Sequence, residues 1–433
     1  MQKAVSRRIS NQIVTSEIVK IYSLNVSGEG VGDQDGKEIF VPFALPGEKV
    51  AIEIHEFRRK KKFVLKQVLE ASPNRIQPVC SHFTQCGGCT LQHFDAITYK
   101  DFKKSLITQP LLEYGLDPFL VGDLVILPFG RRRRANLDAI KKEDKVHLGF
   151  HRWRAHQIID IQECHTLAPE LRVLIAPFRQ ALDTILTPFQ KAKIFLTVTK
   201  GGVDFSLEIQ GVLELSNDQK DVLMQFAQAM NLARFIFRHG KKVEVLHLSA
   251  DPVIEFDGVD VAVDAYGFLQ ATDDADRALS QIIMDAIPTG VRKIADLFAG
   301  RGTFSLPLSR LAPVDAFELD KPALAALDGA IALSGRPITT HYRNLYDNPL
   351  LSDELQSYDV IVLDPPRAGA LEQIEQIKSL SVQTLIYISC NPQTFCRDAK
   401  ILIDNGYVLK TITPIDQFAW SAHLEVVGIF LLA

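Results

Sequence analysis

The stretch KIADLFAGRGTFSLPLS, residues 293–309, decides the fold of the C-terminal third of the chain. It begins as an apolar strand pattern, turns at Gly300 and Gly302, and continues as a helix pattern. Glycines between a strand and the following helix let a nucleotide-like ligand approach the backbone. Strand and helix patterns go on alternating after this stretch. The C-terminal third is therefore predicted to be a doubly wound α/β sheet.

An acidic residue, Glu318, closes the second predicted strand of this sheet. A carboxylate at that position can accept hydrogen bonds from both ribose hydroxyls of a nucleoside ligand. The turn at 300–302 lacks the third glycine of the dinucleotide fingerprint. The pattern therefore favours S-adenosylmethionine over a nicotinamide dinucleotide.

Two further reactive groups follow strand ends. Asp364 precedes two prolines that cannot continue a parallel ladder, so its carboxylate is expected at the edge where open α/β sheets bind ligands. Cys390 ends the next strand at the same edge. A cysteine at a strand end is commonly a small buried hydrophobe. Its place beside the predicted cofactor site favours a nucleophile here.

A thiol in such a site suits methylation at C5 of uracil. C5 is a poor nucleophile, and addition of a thiolate at C6 turns the ring into an enolate whose C5 can attack a sulfonium methyl group. A base must then remove the C5 proton so that the thiol can leave. Glu425, which leads into the apolar strand VVGIFLL, is the candidate base. On spacing alone, the alternative that Glu425 faces solvent stays open.

The N-terminal part of the chain combines strand patterns with runs of cations. Short alternating strands separated by glycine turns run from about residue 18 to residue 70 and predict a small β-barrel. Basic runs stand at residues 58–62 and 131–134, and arginines alternate with aromatic residues at 150–154. Such runs suit RNA phosphates and unstacked bases. The alternative is a solvated strand edge or a charged sheet face, and the co-occurrence of the runs favours RNA.

Four cysteines form a candidate metal centre. Cys80, Cys86 and Cys89 fall within ten residues, with two glycines between the last two, and Cys164 is a plausible fourth ligand. Four thiolates suit either a tetrahedral zinc ion or an iron–sulfur cluster. The spacing does not choose between these two groups, and unrelated buried thiols are the third alternative.

Composition limits the class of protein. The chain has 433 residues, enough for two or three domains, with 47% hydrophobic and 23% charged residues. It has no run of the ~18 apolar residues that a membrane span needs and no signal-peptide pattern, so a cytoplasmic location is expected. The net charge of -4 does not exclude RNA, because binding depends on where the positive charge lies. In a reducing compartment, the six cysteines are expected to be ligands or nucleophiles.

Taken together, these motifs resemble the RNA uracil-C5 methyltransferases, in particular the bacterial branch that acts on 23S ribosomal RNA. The resemblance covers nearly the whole chain. GEGVGDQDGKEIFVPFALPGEKV is similar to a TRAM domain, an OB-like RNA-binding barrel, and PNRIQPVCSHFTQCGGCTLQH is similar to the iron–sulfur segment of the family. The resemblance therefore implies a [4Fe-4S] cluster on Cys80, Cys86, Cys89 and Cys164.

The resemblance also implies roles in the catalytic half, through GFLQATDDA, DLFAGRGTFSLPLS, FELD, DPPRAGA, YISCNPQTFCRD and HLEVV. Cys390 is expected to be the nucleophile, Glu425 the base, and Phe268 a residue that lines the uracil site. Contacts with S-adenosylmethionine are expected from Gln270, Asp296, Phe298, Gly300, Gly302, Glu318, Asn344 and Asp364. RNA contacts are expected from Phe268, Arg132, Arg133, Arg58 and Lys60.

Three positions depart from the pattern of the family. Ala299 stands where cysteine is common, Arg301 is larger and more charged than usual, and Cys396 stands where alanine is usual. None of these departures removes a group that the chemistry requires.

The predicted fold class is α/β plus β, in three domains. Residues 1–74 form the TRAM barrel, residues 75–265 a β-rich central domain with the cluster, and residues 266–433 a class I S-adenosylmethionine methyltransferase domain. A helical stretch at 95–120 is expected to pack against the last domain. The cluster is expected to be structural or RNA-positioning, and the protein a monomer.

Two alternative functions stay open. One is a transfer-RNA uracil methyltransferase, a branch that typically lacks both the barrel and the cluster. The other is a non-catalytic RNA-binding or ribosome-assembly factor, against which the presence of both Cys390 and Glu425 argues.

Overall fold

The structure is a computed structural model and describes residues 13–57, 60–378 and 382–433. The chain divides into two compact units. The first comprises Met1–Thr84, Cys89–Phe102 and Trp420–Ala422, and the second comprises Gln85–Gly88, Lys103–Ala419 and His423–Ala433. In the described part of the chain, no helix is long and apolar enough to cross a membrane.

The first unit is built on five antiparallel strands: β1 (Ile13–Leu24), β2 (Gly30–Gln34), β3 (Lys37–Val41), β4 (Lys49–Phe57) and β5 (Lys60–Glu70). Hydrogen bonds join them in the order β3-β2-β1-β4-β5, and the two edge strands lie close together, so the sheet curls toward a barrel. Alternate side chains such as Val19, Ile21 and Ile52 fill its core. The alternating strands predicted for this part of the chain are confirmed.

After the first sheet the chain forms helix α1 (Ala96–Glu113), a short 3-10 helix (Pro118–Leu120) and strand β6 (Val125–Ile126). A six-stranded sheet follows: β7 (Arg134–Lys142), β8 (Lys145–Gly149), β9 (Lys191–Thr199), β10 (Gly202–Ile209), β11 (Arg234–His239) and β12 (Lys242–Leu248). Its order is β12-β11-β10-β9-β7-β8.

Helices α2 (Pro169–Arg172), α3 (Ile175–Ile185) and α4 (Asn217–Ala229) share one core with this sheet. Aromatic rings join the two layers. Phe205 stacks on Phe235 within the sheet at 4.7 Å, and Phe178 of α3 meets Phe205 edge-on at 4.4 Å. A hairpin of β13 (Val253–Phe256) and β14 (Val259–Ala262) then leads to the last sheet.

The last sheet adds seven strands to β6: β15 (Ile294–Leu297), β16 (Val314–Glu318), β17 (Ile338–Tyr342), β18 (Val360–Leu363), β19 (Thr384–Ser389), β20 (Tyr407–Asp416) and β21 (Glu425–Leu432). The helices between them are α5 (Asp273–Asp285), α6 (Ser305–Leu308), α7 (Lys321–Ser334), α8 (Ser352–Leu355), α9 (Leu371–Ile377) and α10 (Pro392–Asp404).

The strand order of this sheet is β17-β16-β15-β18-β19-β21-β20-β6, and β15 to β19 run parallel. Every residue of β15, β18 and β19 is buried, as expected for parallel strands covered on both faces. The chain leaves β15 toward β16 on one side and later returns to β18 on the other. This change of direction makes the carboxyl ends of β15 and β18 a ligand-binding edge. The predicted doubly wound sheet is confirmed.

A buried ion pair holds α1 against the end of β20. The Lys103 ammonium donates to Asp416 Oδ1 at 2.7 Å, and neither side chain is exposed. The same ammonium also donates to the backbone oxygens of Phe418 at 3.2 Å and His423 at 2.6 Å. One cation therefore holds both sides of the loop that joins β20 to β21.

Replacing Lys103 by methionine is expected to destabilise the protein strongly. The substitution leaves the Asp416 charge buried without its partner, which costs about 3–5 kcal/mol of the free energy of unfolding. Urea denaturation followed by tryptophan fluorescence measures the change. Lys104→Met, at the next and more exposed position of α1, is the matched control, with an expected change within ~0.5 kcal/mol. Equal stability of the two variants would contradict the prediction.

Candidate active site

Cys390 lies at the corner between β19 and α10. Asn391 holds this corner through its side chain: Nδ2 donates to the backbone oxygen of Arg367 at 2.9 Å, and Oδ1 caps α10 by accepting from the Gln393 N–H at 3.2 Å. The Ser389 hydroxyl accepts from the Asn391 N–H at 3.2 Å. Because both neighbours of Cys390 are held, its half-buried thiol has a defined position at the carboxyl edge of the sheet.

Acidic neighbours and burial disfavour the thiolate form of Cys390. Burial, followed by the charges of Glu425 and Asp364, raises the pKa of the thiol to about 11, while Arg367 acts in the opposite direction. At neutral pH the resting side chain is therefore a thiol. Any reaction in which its sulfur attacks must include removal of this proton.

The buried carboxyl group of Glu425 and the half-buried one of Asp364 are joined through a pair of glutamine amides. Gln417 Nε2 donates to Glu425 Oε2 at 2.7 Å and to Gln270 Oε1 at 2.8 Å. Gln270 Nε2 donates in turn to Asp364 Oδ2 at 3.3 Å. Burial raises the pKa of both Glu425 and Asp364, and for Glu425 the Asp364 charge adds to this rise. Each of these groups is therefore a better proton acceptor than an ordinary carboxylate.

A second pair of carboxyl groups lies on β15 and β16, beside the loop that follows β15. Glu318, at the end of β16, accepts the Gly300 N–H at 2.8 Å. Asp296 is fully buried, and burial raises its pKa to about 7. One of its oxygens accepts from the Ser305 hydroxyl at 2.5 Å, while the other has no hydrogen-bond partner among the described residues. That acceptor is left for a ligand.

The backbone of this loop requires its glycines. Gly302 has a φ of +91°, and a Cβ there would lie 2.5 Å from Leu327 of α7. Phe298 also has a positive φ, of +64°, and its ring lies 5.5 Å from that of Tyr346. A strained non-glycine residue in a turn of this kind is typical of a functional site.

A pocket of about 790 Å³ opens along the edge strand β17, and its lining includes both chain neighbours of Glu318. Leu319, Tyr342 and Asn344 contribute to its lining. The Asn344 side-chain oxygen accepts from the Tyr346 N–H at 3.1 Å, which holds the segment after β17. The lining of this pocket therefore includes Asn344, one of the residues predicted to contact the cofactor.

Arg301 ties this loop to the turn that carries Phe268. The Phe268 side chain is 68% exposed, whereas Arg301 is 2% exposed. The guanidinium donates to the backbone oxygens of Phe268 at 3.3 Å and Ala262 at 2.7 Å, and to Asp264 Oδ1 at 2.5 Å. The departure from the family pattern at 301 is thus a buried structural contact, which the sequence alone did not reveal.

Comparison with known proteins gives the family. Residues 260–433 match the model of tRNA (Uracil-5-)-methyltransferase, and residues 15–65 match the TRAM domain. An RNA methyltransferase of Mesorhizobium japonicum is 38% identical over 94% of this chain and 96% of its own. The 23S rRNA (uracil(1939)-C(5))-methyltransferase RlmD of Pectobacterium atrosepticum is 30% identical over 95% of this chain and 93% of its own. The chain belongs to the RNA uracil-C5 methyltransferase family.

A solved structure agrees on the fold of this family member. The tRNA (uracil-54, C5)-methyltransferase of Pyrococcus abyssi, in complex with S-adenosyl-L-homocysteine, has a TM-score of 0.74 and 22% identity, and covers 96% of this chain and 100% of its own. The protein is an S-adenosylmethionine-dependent RNA methyltransferase with a TRAM domain. The unpaired Asp296 oxygen and the glycine loop that precedes Glu318 fit this cofactor.

Of the residues predicted to contact RNA in this RNA methyltransferase, some are exposed and others are buried. Arg132 is exposed, and its Nε donates to the backbone oxygen of Arg134 at 3.1 Å. Arg133 is buried, pairs with Asp276 at 2.6 Å and donates to the Gln270 backbone oxygen at 3.2 Å. Its buried guanidinium therefore holds the turn at Gln270 in place. Arg58 and the side chain of Lys60 lie outside the described residues.

The cysteines predicted to hold a cluster, Cys80, Cys86, Cys89 and Cys164, are all half-buried. Cys164 Sγ lies 3.1 Å from the Thr166 hydroxyl. Across residues 13–57, 60–378 and 382–433, no group of three or more His, Cys, Asp or Glu side chains is arranged to hold a metal ion. The iron–sulfur cluster therefore stays a prediction from the sequence.

Proposed function

We propose that this enzyme methylates C5 of a uridine in 23S ribosomal RNA through a covalent bond between Cys390 and C6 of the base. The observation that carries the proposal is the position of the Cys390 thiol, at the carboxyl edge of β19 and close enough to Glu425 and Asp364 for their charges to shift its pKa. The full-length similarity to a 23S rRNA enzyme supports the choice of RNA.

The reaction has three steps, and the residues of the site can carry out the first and the last of them. The Cys390 thiol gives its proton to Asp364, a nearby carboxylate of raised pKa, as sulfur adds to C6 and the ring becomes an enolate. S-adenosylmethionine, when bound, supplies the methyl group to C5. Glu425, still deprotonated, then takes the C5 proton, and the C5–H electrons form the C5–C6 double bond again. The C6–S bond breaks with its electron pair on sulfur, and the resulting thiolate takes back the proton held by Asp364.

Cofactor binding is assigned to the edge at β15 and β16. Glu318 and Asn344 would hold the nucleoside part, and the unpaired Asp296 oxygen would accept a hydrogen bond from the ligand. Phe268, exposed on its turn, would contact the target base. Gln270 would orient Asp364 between cofactor and base.

Glu318→Gln is expected to weaken binding of S-adenosylhomocysteine by roughly 10- to 100-fold, because a charged hydrogen-bond acceptor for the ribose is lost. Isothermal titration calorimetry measures the affinity. Glu375→Gln, on the exposed side of α9, is the control and should bind as the wild type does. Unchanged affinity in Glu318→Gln would remove Glu318 from the cofactor site.

The target RNA is tested by mapping 5-methyluridine in a strain that lacks the protein. Loss of one 23S rRNA modification, restored by the wild-type gene, supports the proposal. Loss of a transfer-RNA modification instead would favour the other branch of the family. No loss in any RNA, together with no methyl transfer in vitro, would favour a non-catalytic RNA-binding factor.

A [4Fe-4S] cluster on Cys80, Cys86, Cys89 and Cys164 belongs to the same proposal and rests on the cysteine pattern and the family resemblance. No step of the methyl transfer is assigned to it. Anaerobically purified protein that contains iron and inorganic sulfide in equal amounts would support it. Fully active protein that contains neither would contradict it. The cytoplasmic location, the monomeric state and the division at residues 74 and 265 also stay predictions.

A further inference from the structure

One side chain at the centre of the site, Gln417, has no role in the reaction described above. Gln417 follows the last residue of β20 and is 5% exposed. Its Oε1 accepts from the backbone N–H of Ala271 at 3.0 Å. A backbone N–H can only donate, so this contact places the oxygen of the amide toward Ala271 and its NH2 group on the other side. The orientation of Gln417 is therefore set by the main chain.

The orientation of Gln417 determines that of a second amide. Its two N–H bonds are directed at Glu425 Oε2 and at Gln270 Oε1. Since the Gln270 oxygen faces Gln417, the Gln270 NH2 group faces Asp364. The backbone N–H of Ala271 thus orients two side-chain amides, so that Glu425 and Asp364 each receive one N–H. Within the described part of the chain, Gln417 provides the only hydrogen bond to the carboxyl group of Glu425.

The backbone around Gln417 is held independently of any substrate. Asp416, the preceding residue, is the buried partner of Lys103, and the same ammonium binds the backbone oxygens of Phe418 and His423. Gln417 is therefore presented to Glu425 by a segment fixed on both sides. A buried glutamine whose side-chain amide forms three hydrogen bonds keeps one rotamer.

We propose that Gln417 is a positioning residue that aims the Glu425 carboxylate at the target base and keeps it in its proton-accepting form. The proposal rests on the proposed function, because it requires Glu425 to act as the base. The hydrogen bond from Gln417 lowers the pKa of Glu425, against the opposing effects of burial and of the Asp364 charge. Without this donor, less of the carboxylate is deprotonated at neutral pH and its plane is free to turn.

Other ionisable groups also act on Glu425, and a test of Gln417 must distinguish its effect from theirs. Asp364 follows β18 and Cys390 follows β19, and both interact electrostatically with Glu425. Asp276 of α5, paired with Arg133, acts on Asp364. A change at Gln417 leaves all of these groups in the chain and acts on Asp364 only through Gln270. A shift in the pH profile of such a variant therefore reports on the lost amide.

Gln417→Met keeps the length of the side chain and removes all three hydrogen bonds. We expect the variant to accumulate a covalent protein–RNA adduct on ordinary uridine-containing RNA, visible by denaturing gel electrophoresis. In single-turnover experiments the rate of product release falls as the pH is lowered, and this fall is the acid limb of the pH profile. In the variant the midpoint of this limb should lie about one to two pH units higher than in the wild type, since a hydrogen bond to a charged group is lost.

Gln373→Met is the matched control. Gln373 is an equally buried glutamine, on α9, whose amide bonds the backbone N–H and oxygen of Leu350 at 2.9 and 3.0 Å. This variant should lose stability without a shift in the pH profile. If Gln417→Met does not fold, Gln417→Glu keeps the Ala271 contact, places a further carboxyl group beside Glu425, and should shift the limb in the same direction.

The outcomes separate the two proposals. An upward shift of the limb together with adduct accumulation, in Gln417→Met or in Gln417→Glu, supports the role of Gln417. If a folded variant has the same acid limb as the wild type and forms no adduct, the role of Gln417 is overturned. Absence of methyl transfer by the wild-type enzyme on every RNA overturns the proposed function instead.

Discussion

Replacing Cys390 by alanine is expected to lower methyl transfer to RNA by roughly 10⁴-fold or more, the scale on which the loss of a covalent nucleophile acts. Without the sulfur, no addition at C6 can raise the electron density at C5. Transfer of a labelled methyl group from S-adenosylmethionine to unmodified ribosomal RNA measures the effect. RNA that contains 5-fluorouridine, which traps the adduct because C5 carries no removable proton, should form a covalent complex with the wild type alone.

Cys396→Ala is the matched control for this experiment. Cys396 lies on α10, six residues after Cys390, and is fully buried in the core. Burial raises the pKa of its thiol, so that it stays protonated, and the alanine variant should keep methyl transfer within a few-fold of the wild type. Undiminished transfer by Cys390→Ala, or a trapped complex that survives this substitution, would eliminate the covalent scheme.

The sequence was sufficient to place the main reactive groups at one edge. Parallel strands end at the same edge of a sheet, so the positions of Asp296, Asp364 and Cys390 at or just after strand ends predict that they lie together. The structure has these strands as predicted, with β15, β18 and β19 adjacent. This step depends only on local pattern and on the geometry of parallel sheets.

Contacts between residues distant in the sequence could not be predicted in the same way. Lys103 and Asp416 are 313 positions apart and form a buried pair, and Gln417 and Gln270 are 147 positions apart. No periodicity marks such residues, because their partners are set by how whole elements pack. Arg133 shows that a local pattern can also mislead. Its place in a run of four arginines suggests a contact with RNA, yet its guanidinium is buried against Asp276.

Keeping the carboxyl groups of this site ionised costs folding free energy. Burial raises the pKa of Asp296 to about 7 and raises those of Asp364 and Glu425 as well. A group with a raised pKa in the folded state stabilises the protein below its unfolded pKa, and this contribution is lost as the pH rises through the raised value. A positively charged ligand held beside these carboxylates offsets the cost. A sulfonium cofactor therefore suits this edge on electrostatic grounds.

Glu425→Gln is expected to separate formation of the covalent adduct from its release. The amide cannot take the C5 proton, so turnover should fall by roughly 10²- to 10⁴-fold, the usual contribution of a general base. The charge of Glu425 raises the pKa of Cys390, so its neutral replacement does not hinder addition of the thiol. The variant should therefore hold methylated RNA in a covalent complex on ordinary uridine substrate, at up to one methyl group per enzyme.

The double variant Cys390→Ala, Glu425→Gln tests the chemical identity of that complex. If the trapped RNA is bonded to the Cys390 sulfur, the double variant forms no complex. A complex that persists without the thiol would mean that another residue attacks the base. Product release by Glu425→Gln at the wild-type rate would transfer the role of base to Asp364, because it is the other carboxyl group whose charge shifts the pKa of Cys390 and whose own pKa is raised. In that case an Asp364→Asn variant should hold the adduct in its place.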